Sequence, residues 1–207
     1  MGKSRLNLNI GVLNVDGISN GSAKRELNRK MNQLFVNQKN VHVLYSYNEM
    51  DSYLQQVLSI IQDGIAAGDY VILIENDRMH PVIMKELSTR LTKEQQMKFL
   101  HFVNSFDFYR SSGSYHPLAI EEYFAKTVQP YVENKLSFRS LAHVEWASMF
   151  EKIVDKAVNL LSFPLICACE GKRMPDYLKT ILMETHPYVL LEDDFIVSEE
   201  YQPPNVK

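Results

Sequence analysis

Four side chains with complementary chemistry lie within eight residues of one another, and they are Arg139, His143, Glu145 and Trp146. They supply a cation, a titratable imidazole, a carboxylate and an aromatic plate. Convergent polar groups beside an aromatic wall are typical of a small-molecule pocket. In the alternative interpretation Trp146 anchors a helix to a sheet and Glu145 pairs internally with Arg139. The residue types alone leave both interpretations open.

Further candidate side chains follow the ends of predicted strands. In an open α/β sheet, ligands bind outside the carboxyl ends of the strands. That rule gathers candidates from several strand ends at a single rim. With Arg139 from the block above, the predicted ligand-binding residues are Tyr45, Tyr47, Glu75, Arg139, His143, Glu145, Trp146 and Cys169. His42 lies near the start of its strand, so we expect it to be remote from the rim.

The turn after the first predicted strand, from Tyr45 to Glu49, lacks the machinery of a phosphate-binding loop. Such a loop needs glycines whose backbone N–H groups approach the anion, and a lysine that reaches the terminal phosphates. Instead, Glu49 and Asp51 stand at the start of the next helix, where they would repel phosphate. No serine elbow, zinc-protease motif or separated carboxylate pair is present either. The sequence therefore predicts a protein that is not an enzyme, with no catalytic residues and no cofactor.

The histidines and cysteines do not form a recognisable metal motif. His42, His143, His186, Cys167 and Cys169 could in principle assemble a metal site, but strong zinc signatures come as paired ligand couples at defined spacing. One C-x-C within an apolar run is not such a couple, and His186 precedes Pro187, a common helix stop. We therefore expect no metal, and reduced thiols in a reducing compartment.

Length, charge and hydropathy limit the class of protein. The chain has 207 residues and a formal net charge of −3, with a pI near 6.1. Direct nucleic-acid binding needs a positive footprint and is not expected. No apolar run reaches the ~18 residues of a membrane span, and no signal-peptide core is present. The prediction is a cytoplasmic protein without a membrane association.

Strand and helix patterns alternate along the chain. Predicted strands at 41–46, 70–75, 99–103, 137–141 and 165–169 are separated by helical patterns, and one or two strands follow from 188 to 197. The run from Tyr70 to Glu75 is almost continuously apolar, which is typical of a strand buried on both faces of a parallel sheet. This rhythm predicts an α/β fold with three layers (αβα) and a largely parallel sheet.

The two ends of the chain are expected to lie outside this domain. Residues 1–40 are predicted to form an extension with a short strand near Leu6–Ile10, a turn-rich DGISNGS segment and a basic helix, AKRELNRKMNQLF. Residues 41–198 form the domain itself, and residues 199–207 a tail. An isolated helix of this length is marginal unless its apolar face is packed, so it must dock on its own domain, a second copy or a partner. Together with the acidic residues near the C-terminus, the basic helix predicts a homodimer.

Five landmarks in order resemble the MEDS domain, a sensory module related in fold to the RecA and KaiC class of ATPases. They are His42 with Tyr45 and Tyr47, G-D-Y-V-I-L-I-E, F-Y-R-S-S-G-S-Y-H-P, F-R-S-L-A-H-V-E-W, and Cys167 followed by H-P-Y-V-L. The resemblance runs from about Val41 to Leu191. It departs from the family at C-A-C-E-G, where a glutamine, an aromatic residue and an aspartate are more usual.

The resemblance implies a degenerate RecA/KaiC-like fold and a role in signal transduction or transcription regulation. Such domains are often fused to a DNA-binding helix-turn-helix or a histidine kinase, including a regulator of dichloromethane metabolism. We therefore expect a non-catalytic sensory protein that binds a small organic ligand or a protein partner, and that acts through another chain such as a regulator or kinase. Two alternatives stay open: a nucleotide-binding switch or enzyme with a non-standard phosphate loop, and a structural adaptor acting through the basic N-terminal helix.

Overall fold

A seven-stranded sheet forms the middle layer of the protein. The computed structural model describes residues 15–38, 40–110, 117–144 and 151–204. The strands are β1 (His42–Tyr47), β2 (Tyr70–Glu75), β3 (Leu100–Asn104), β4 (Phe138–His143), β5 (Leu165–Glu170), β6 (Tyr188–Leu190) and β7 (Phe195–Val197). Their order across the sheet is β3-β2-β4-β5-β1-β6-β7.

All pairings are parallel except the last one. β1 pairs in parallel with β5 and β6, β2 with β3 and β4, and β4 with β5, whereas β7 is antiparallel to β6. The carboxyl ends of six strands therefore point to one rim. The predicted largely parallel sheet is confirmed.

Helices cover both faces of the sheet. They are α1 (Val15–Asn37), α2 (Met50–Ala66), α3 (Met79–Leu87), α4 (Lys93–Phe99), α5 (Ser105–Tyr109), α6 (Pro117–Glu133), α7 (Glu151–Leu161) and α8 (Asp176–Thr185). One core lies between the sheet and the helices α1 to α4. The opposite face packs against α5, α6 and α7, and a smaller cluster joins it to α8.

Strand β2 shows why the buried strands are continuously apolar. Val71 and Leu73 belong to the core under α2, whereas Ile72 and Ile74 belong to the core under α6 and α7. Successive side chains of a strand point to opposite faces, and here helices cover both. The three-layer αβα architecture predicted from the alternating pattern is confirmed.

The N-terminal helix is longer than its sequence pattern predicts. It begins at Val15, so the DGISNGS segment predicted as a turn is helical. The strand expected near residues 6–10 lies outside the described residues. Leu27 and Met31 of α1 are buried in the core of the domain, and the Asn28 amide donates to the Ser59 hydroxyl on α2. Of the three docking options for this helix, the structure shows the first, packing on its own domain.

Two short helices, α4 and α5, precede and follow β3 and were not predicted. Each begins at a side-chain cap: Thr92 accepts from the Gln95 backbone in a reciprocal capping box, and Asn104 accepts from the Phe106 backbone. Neither helix has the long apolar periodicity that marks α2, since they span 7 and 5 residues. Across the described ranges, no helix is long and apolar enough to cross a membrane.

Candidate functional site

Four of the eight predicted ligand-binding residues meet under the carboxyl rim of the sheet. Tyr45 and Tyr47 lie on β1, Glu75 ends β2 and His143 ends β4, and all four are buried. Their side chains share the face of the sheet covered by α2, because each lies an even number of residues from an apolar member of that core.

A chain of hydrogen bonds connects three of these side chains, Tyr47, Glu75 and His143. Nδ1 of His143 lies 2.8 Å from Oε1 of Glu75, and its Nε2 lies 2.7 Å from the Tyr47 hydroxyl. The other carboxylate oxygen of Glu75 accepts from the Tyr53 hydroxyl on α2, and Oε1 also accepts from the Asn76 backbone N–H at 2.7 Å. This rim network is thus an internal one, in which protein groups satisfy one another.

Tyr53 of the network and the neighbouring Tyr45 are held as neutral donors. Burial, together with the charge and hydrogen bond of Glu75, raises the pKa of Tyr53 well above its ordinary value. Burial and the neighbouring Glu192 also raise the pKa of Tyr45, whose hydroxyl donates to the Ser52 carbonyl at 3.1 Å. The arrangement favours a rigid anchor between α2 and the strand ends.

Arg139 is not part of this group. It stands on the same face of β4 as His143 but four residues earlier, which along a strand corresponds to about 13 Å. There Nε donates to Asp69 at 3.0 Å and Nη1 donates to Asn32 of α1 at 2.8 Å. A side chain on Gly64 of α2 would meet Arg139 at 2.9 Å, so the glycine leaves the space for it. Arg139 therefore ties α1 and the turn before β2 to the amino end of the sheet.

The remaining predicted residues do not join the rim network. Cys169 lies near the end of β5 but points to the opposite face, where it packs in the cluster with Leu44 and Leu182. Glu145 and Trp146 lie outside the described residues. The block from Arg139 to Trp146 is therefore not brought together over the part that the structure describes, because its residues follow an extended strand rather than a turn.

The loop between β1 and α2 is closed by the protein's own acidic groups. The backbone N–H of Asn48, beside the N-terminus of α2, donates to the Glu192 carboxylate at 3.1 Å. Glu49 forms an ion pair with Lys172 across the same opening. A phosphate approaching this helix terminus would meet carboxylates where a phosphate loop offers N–H groups and a lysine.

The opposite face of the sheet contains an apolar cavity of about 40 Å³. Strands, α5, α6 and α7 all contribute to its wall, which includes Ile74, Phe108, Ile120, Phe124, Ala142, Val154, Ala157 and Leu165. Glu121, Glu151 and Cys167 supply its few polar atoms. None of the described residues of the predicted ligand set lines this cavity.

Two of these polar residues also belong to a cluster of metal-ligating types. Glu151 and Cys167 lie with His42 and His186, and one ligand atom from each lies within 4.8 Å of all the others. All four side chains are buried. His42 is remote from the carboxyl rim, as expected, because it begins β1.

Sequence reasoning missed Glu151 and Tyr53 as polar members of the buried clusters. A signal for the first was available: Glu151 and Asp155 recur four residues apart on α7, and the structure places both on its buried face beside Ala157 and Val158. Tyr53 has the helical spacing of the apolar face of α2, where the structure places it, but its hydroxyl also reaches Glu75.

The fold and the closed first loop define a RecA-like α/β protein without a phosphate-binding loop. The crystal structure of flagellar accessory protein FlaH from Methanocaldococcus jannaschii resembles it with a TM-score of 0.51 and 11% sequence identity, over 82% of this chain and 83% of FlaH. At that identity the likeness concerns the fold alone.

The chain belongs to the MEDS family. The family model, described as the MEthanogen/methylotroph, DcmR Sensory domain, matches residues 41–187. A comparison with curated proteins finds no match. Family membership assigns the chain a sensory or regulatory role, in agreement with the resemblance in its sequence.

Proposed function

We propose that this protein is a non-catalytic sensor that binds a small apolar organic molecule in the cavity between the sheet and α5, α6 and α7, and reports its presence to another protein chain. The observation that carries the proposal is the cavity itself, lined mainly by apolar side chains in a protein of a sensory family.

The size and chemistry of the cavity limit the ligand. Its volume of about 40 Å³ exceeds the ~10–15 Å³ that one water needs, but the wall offers few of the polar partners that hold a buried water. Apolar cavities of this kind stay dry and bind apolar guests. A compound of a few heavy atoms, such as a halogenated or methylated one-carbon compound, has suitable dimensions.

The rim network is a poorer ligand site than the cavity. Glu75 and His143 already bond each other, and Tyr47 and Tyr53 complete the chain. A ligand would have to break buried hydrogen bonds and replace them, at a cost of about 1–3 kcal/mol for each group left unpaired. We therefore assign the network to rigidity, and ligand binding to the opposite face.

The cavity wall offers a route for the signal. The sheet side of the wall is held by parallel pairing on both sides of β4, whereas the helical side is made of three separate helices. A guest that presses on this wall would shift the helices more readily than the strands. A regulator or kinase that contacts these helices would then read the occupied state.

Filling the cavity tests the proposal. Ala157 lies on α7 in the cavity wall, so Ala157→Leu places extra methyl groups in the space that the ligand would take. We expect dichloromethane and xenon, used as probes, to shift the methyl NMR signals of Ile74, Ile120 and Val154 in the native protein. In Ala157→Leu those shifts should fall by about tenfold or more, as expected when a guest is excluded sterically.

The matched control is Ala66→Leu, the same change at an exposed helical position. It should leave the probe shifts unchanged. Methyl groups of Ile60 and Ile83, on the other side of the sheet, should not respond in any variant. Probe shifts that are absent from the native protein, or that persist in a folded Ala157→Leu protein, would contradict a ligand in this cavity.

A further inference from the structure

A buried cluster of four side chains joins β1, β5, α7 and the residue after α8. His42 comes from β1, Cys167 from β5 and Glu151 from α7, and His186 follows α8 directly. Exposed fractions are 1% for His42, 2% for Cys167, 3% for Glu151 and 0% for His186, so the cluster is closed to solvent. The two imidazole rings lie with their centroids 3.8 Å apart.

The neighbours of the two histidines decide which ring nitrogen carries the proton. Nδ1 of His186 lies 2.8 Å from the Leu182 carbonyl oxygen, and Nδ1 of His42 lies 3.1 Å from the Thr185 carbonyl oxygen. A carbonyl only accepts, so each Nδ1 is the donor. Each Nε2 therefore keeps its lone pair, and both lone pairs belong to the cluster.

Two acceptor atoms of the cluster lack a hydrogen-bond donor among the described residues. Within the part of the chain that the structure describes, Nε2 of His186 and Oε2 of Glu151 have no hydrogen-bond partner, and they lie 3.7 Å from each other. Nε2 of His42 lies 3.4 Å from the thiol of Cys167. A buried acceptor without a partner is unfavourable, and a cation shared by acceptors that face one another would satisfy them together.

From this geometry we infer a metal site in which His42, His186, Cys167 and Glu151 bind one zinc ion. A tetrahedral zinc ion with bonds of ~2.0–2.3 Å to nitrogen, oxygen and sulfur has ligand-to-ligand distances of about 3.3–3.8 Å. The distance of 3.4 Å from Nε2 of His42 to Sγ of Cys167 and that of 3.7 Å from Nε2 of His186 to Oε2 of Glu151 lie in that range, and all four ligand atoms lie within 4.8 Å of one another. Two imidazoles, a thiolate and a carboxylate form a donor set suited to zinc.

The surroundings resemble those of established zinc ligands. Oδ1 of Asp155 lies 3.1 Å from Nδ1 of His42, so a carboxylate holds the ring from its far side. Carboxylate, histidine and metal in that order are a common arrangement, which orients the ring and raises its basicity. With four protein ligands the site is closed, so the ion would be structural and would join α7 and the end of α8 to the sheet. Glu151 and Cys167 also line the cavity, but zinc binding here requires no guest in it.

Elemental analysis and cobalt substitution test the site in the full-length protein, purified without a histidine tag. We expect about one zinc ion per chain, retained on dialysis. After zinc is exchanged for Co²⁺, the native protein should show the visible bands of tetrahedral cobalt and a thiolate-to-cobalt charge-transfer band. Cys167→Ser should lose that charge-transfer band.

The matched control is Cys169→Ser, because Cys169 is equally buried on the same strand but lies outside the cluster. This variant should keep the zinc and the charge-transfer band. Loss of the band in Cys169→Ser together with its retention in Cys167→Ser would overturn the assignment of ligands. If Cys167→Ser does not fold, the native protein still decides, since metal-free protein that shows no thiolate band with Co²⁺ would overturn the site.

Asp155→Asn tests the outer carboxylate separately. We expect zinc affinity to fall by about 10- to 100-fold, as for other outer partners of histidine ligands. Asp176→Asn, on the exposed first turn of α8, should leave the affinity unchanged.

The alternative arrangement is a metal-free one, in which a protonated Glu151 donates to His186. Burial and the nearby Asp155 raise the pKa of Glu151 to about 7, so protein that never binds zinc would indicate this arrangement and contradict ours.

Discussion

At the residue scale, Glu75 holds the rim network together. Its two carboxylate oxygens accept from the Tyr53 hydroxyl, the Asn76 backbone and Nδ1 of His143. These donors come from α2, the loop after β2 and the end of β4. Because Glu75 is fully buried, no water can replace it as their acceptor.

Replacing Glu75 should therefore destabilise the protein in proportion to the acceptors lost. We expect Glu75→Leu to lower the free energy of unfolding by about 3 kcal/mol, because it leaves several buried donors unpaired. Glu75→Gln should cost less, since one acceptor oxygen remains. Urea denaturation measures both changes, and Glu199→Gln at an exposed position should stay within about 0.5 kcal/mol of the native protein. A Glu75→Leu protein as stable as the native one would show that the network adds nothing to stability.

At the element scale, α1 is a brace for the domain. Met31 is fully buried, and Leu34 and Phe35 pack at the edge of the same core. Hydrogen bonds also connect α1 to the domain, because the Asn32 side chain bonds both Asp63 of α2 and Arg139 of β4. The apolar face of this helix is thus covered by its own domain, which removes one argument for a partner there.

Two substitutions on α1, one at a buried and one at an exposed position, test whether the packing of this helix on the domain contributes to stability. Met31 is 0% exposed and Val36 is 81% exposed. We expect Met31→Ala to lower the free energy of unfolding by about 2–4 kcal/mol through loss of buried contacts and cavity formation. Val36→Ala should change it by no more than about 0.5 kcal/mol. Equal effects in chemical denaturation would mean that α1 does not pack on α2 in solution.

At the scale of the whole molecule, the C-terminal region takes part in closing the first loop. Glu192 follows β6 and reaches the N–H of Asn48, so residues 144 positions apart meet beside the N-terminus of α2. Lys172 reaches Glu49 from the turn after β5. This region keeps the RecA-like layout, while the Glu192 carboxylate accepts from the Asn48 N–H beside the N-terminus of α2. Homodimerisation stays a prediction, and it now depends on charged surfaces rather than on the apolar face of α1.

We expect no ATP affinity tighter than the millimolar range, which corresponds to about 4 kcal/mol of binding free energy. The loop has neither the glycines nor the lysine that bind phosphate, and Glu192 occupies the N–H of Asn48. Isothermal titration calorimetry with ATP and magnesium measures this directly. Glu192→Gln should not create tight binding, because the loop still lacks the lysine. Micromolar binding would favour the nucleotide-switch alternative.

Much of the fold follows from local patterns. The apolar runs of β2 and β5 and the helical spacing of Tyr53, Val57 and Ile61 on α2 predict elements that the structure contains. Their alternation also predicts the parallel sheet, because parallel strands need crossover helices. The limits of α1 and the presence of α4 and α5 could not be predicted, since those segments depend on caps and packing rather than on long periodicity.

Of the rim, the sequence by itself determined that Tyr47, Glu75 and His143 stand at strand ends, and hence that they lie near one another. Only the tertiary structure decided that their polar groups bond one another, and that Arg139 and Cys169 lie elsewhere. The pairing of the strands and the placement of the helices also bring together the buried cluster of His42, Cys167, Glu151 and His186. Its members are spread over more than half of the chain. Spacing along a chain predicts which face of an element a residue occupies, but only the packing of β1 beside β5 beneath α7 and α8 brings those faces together.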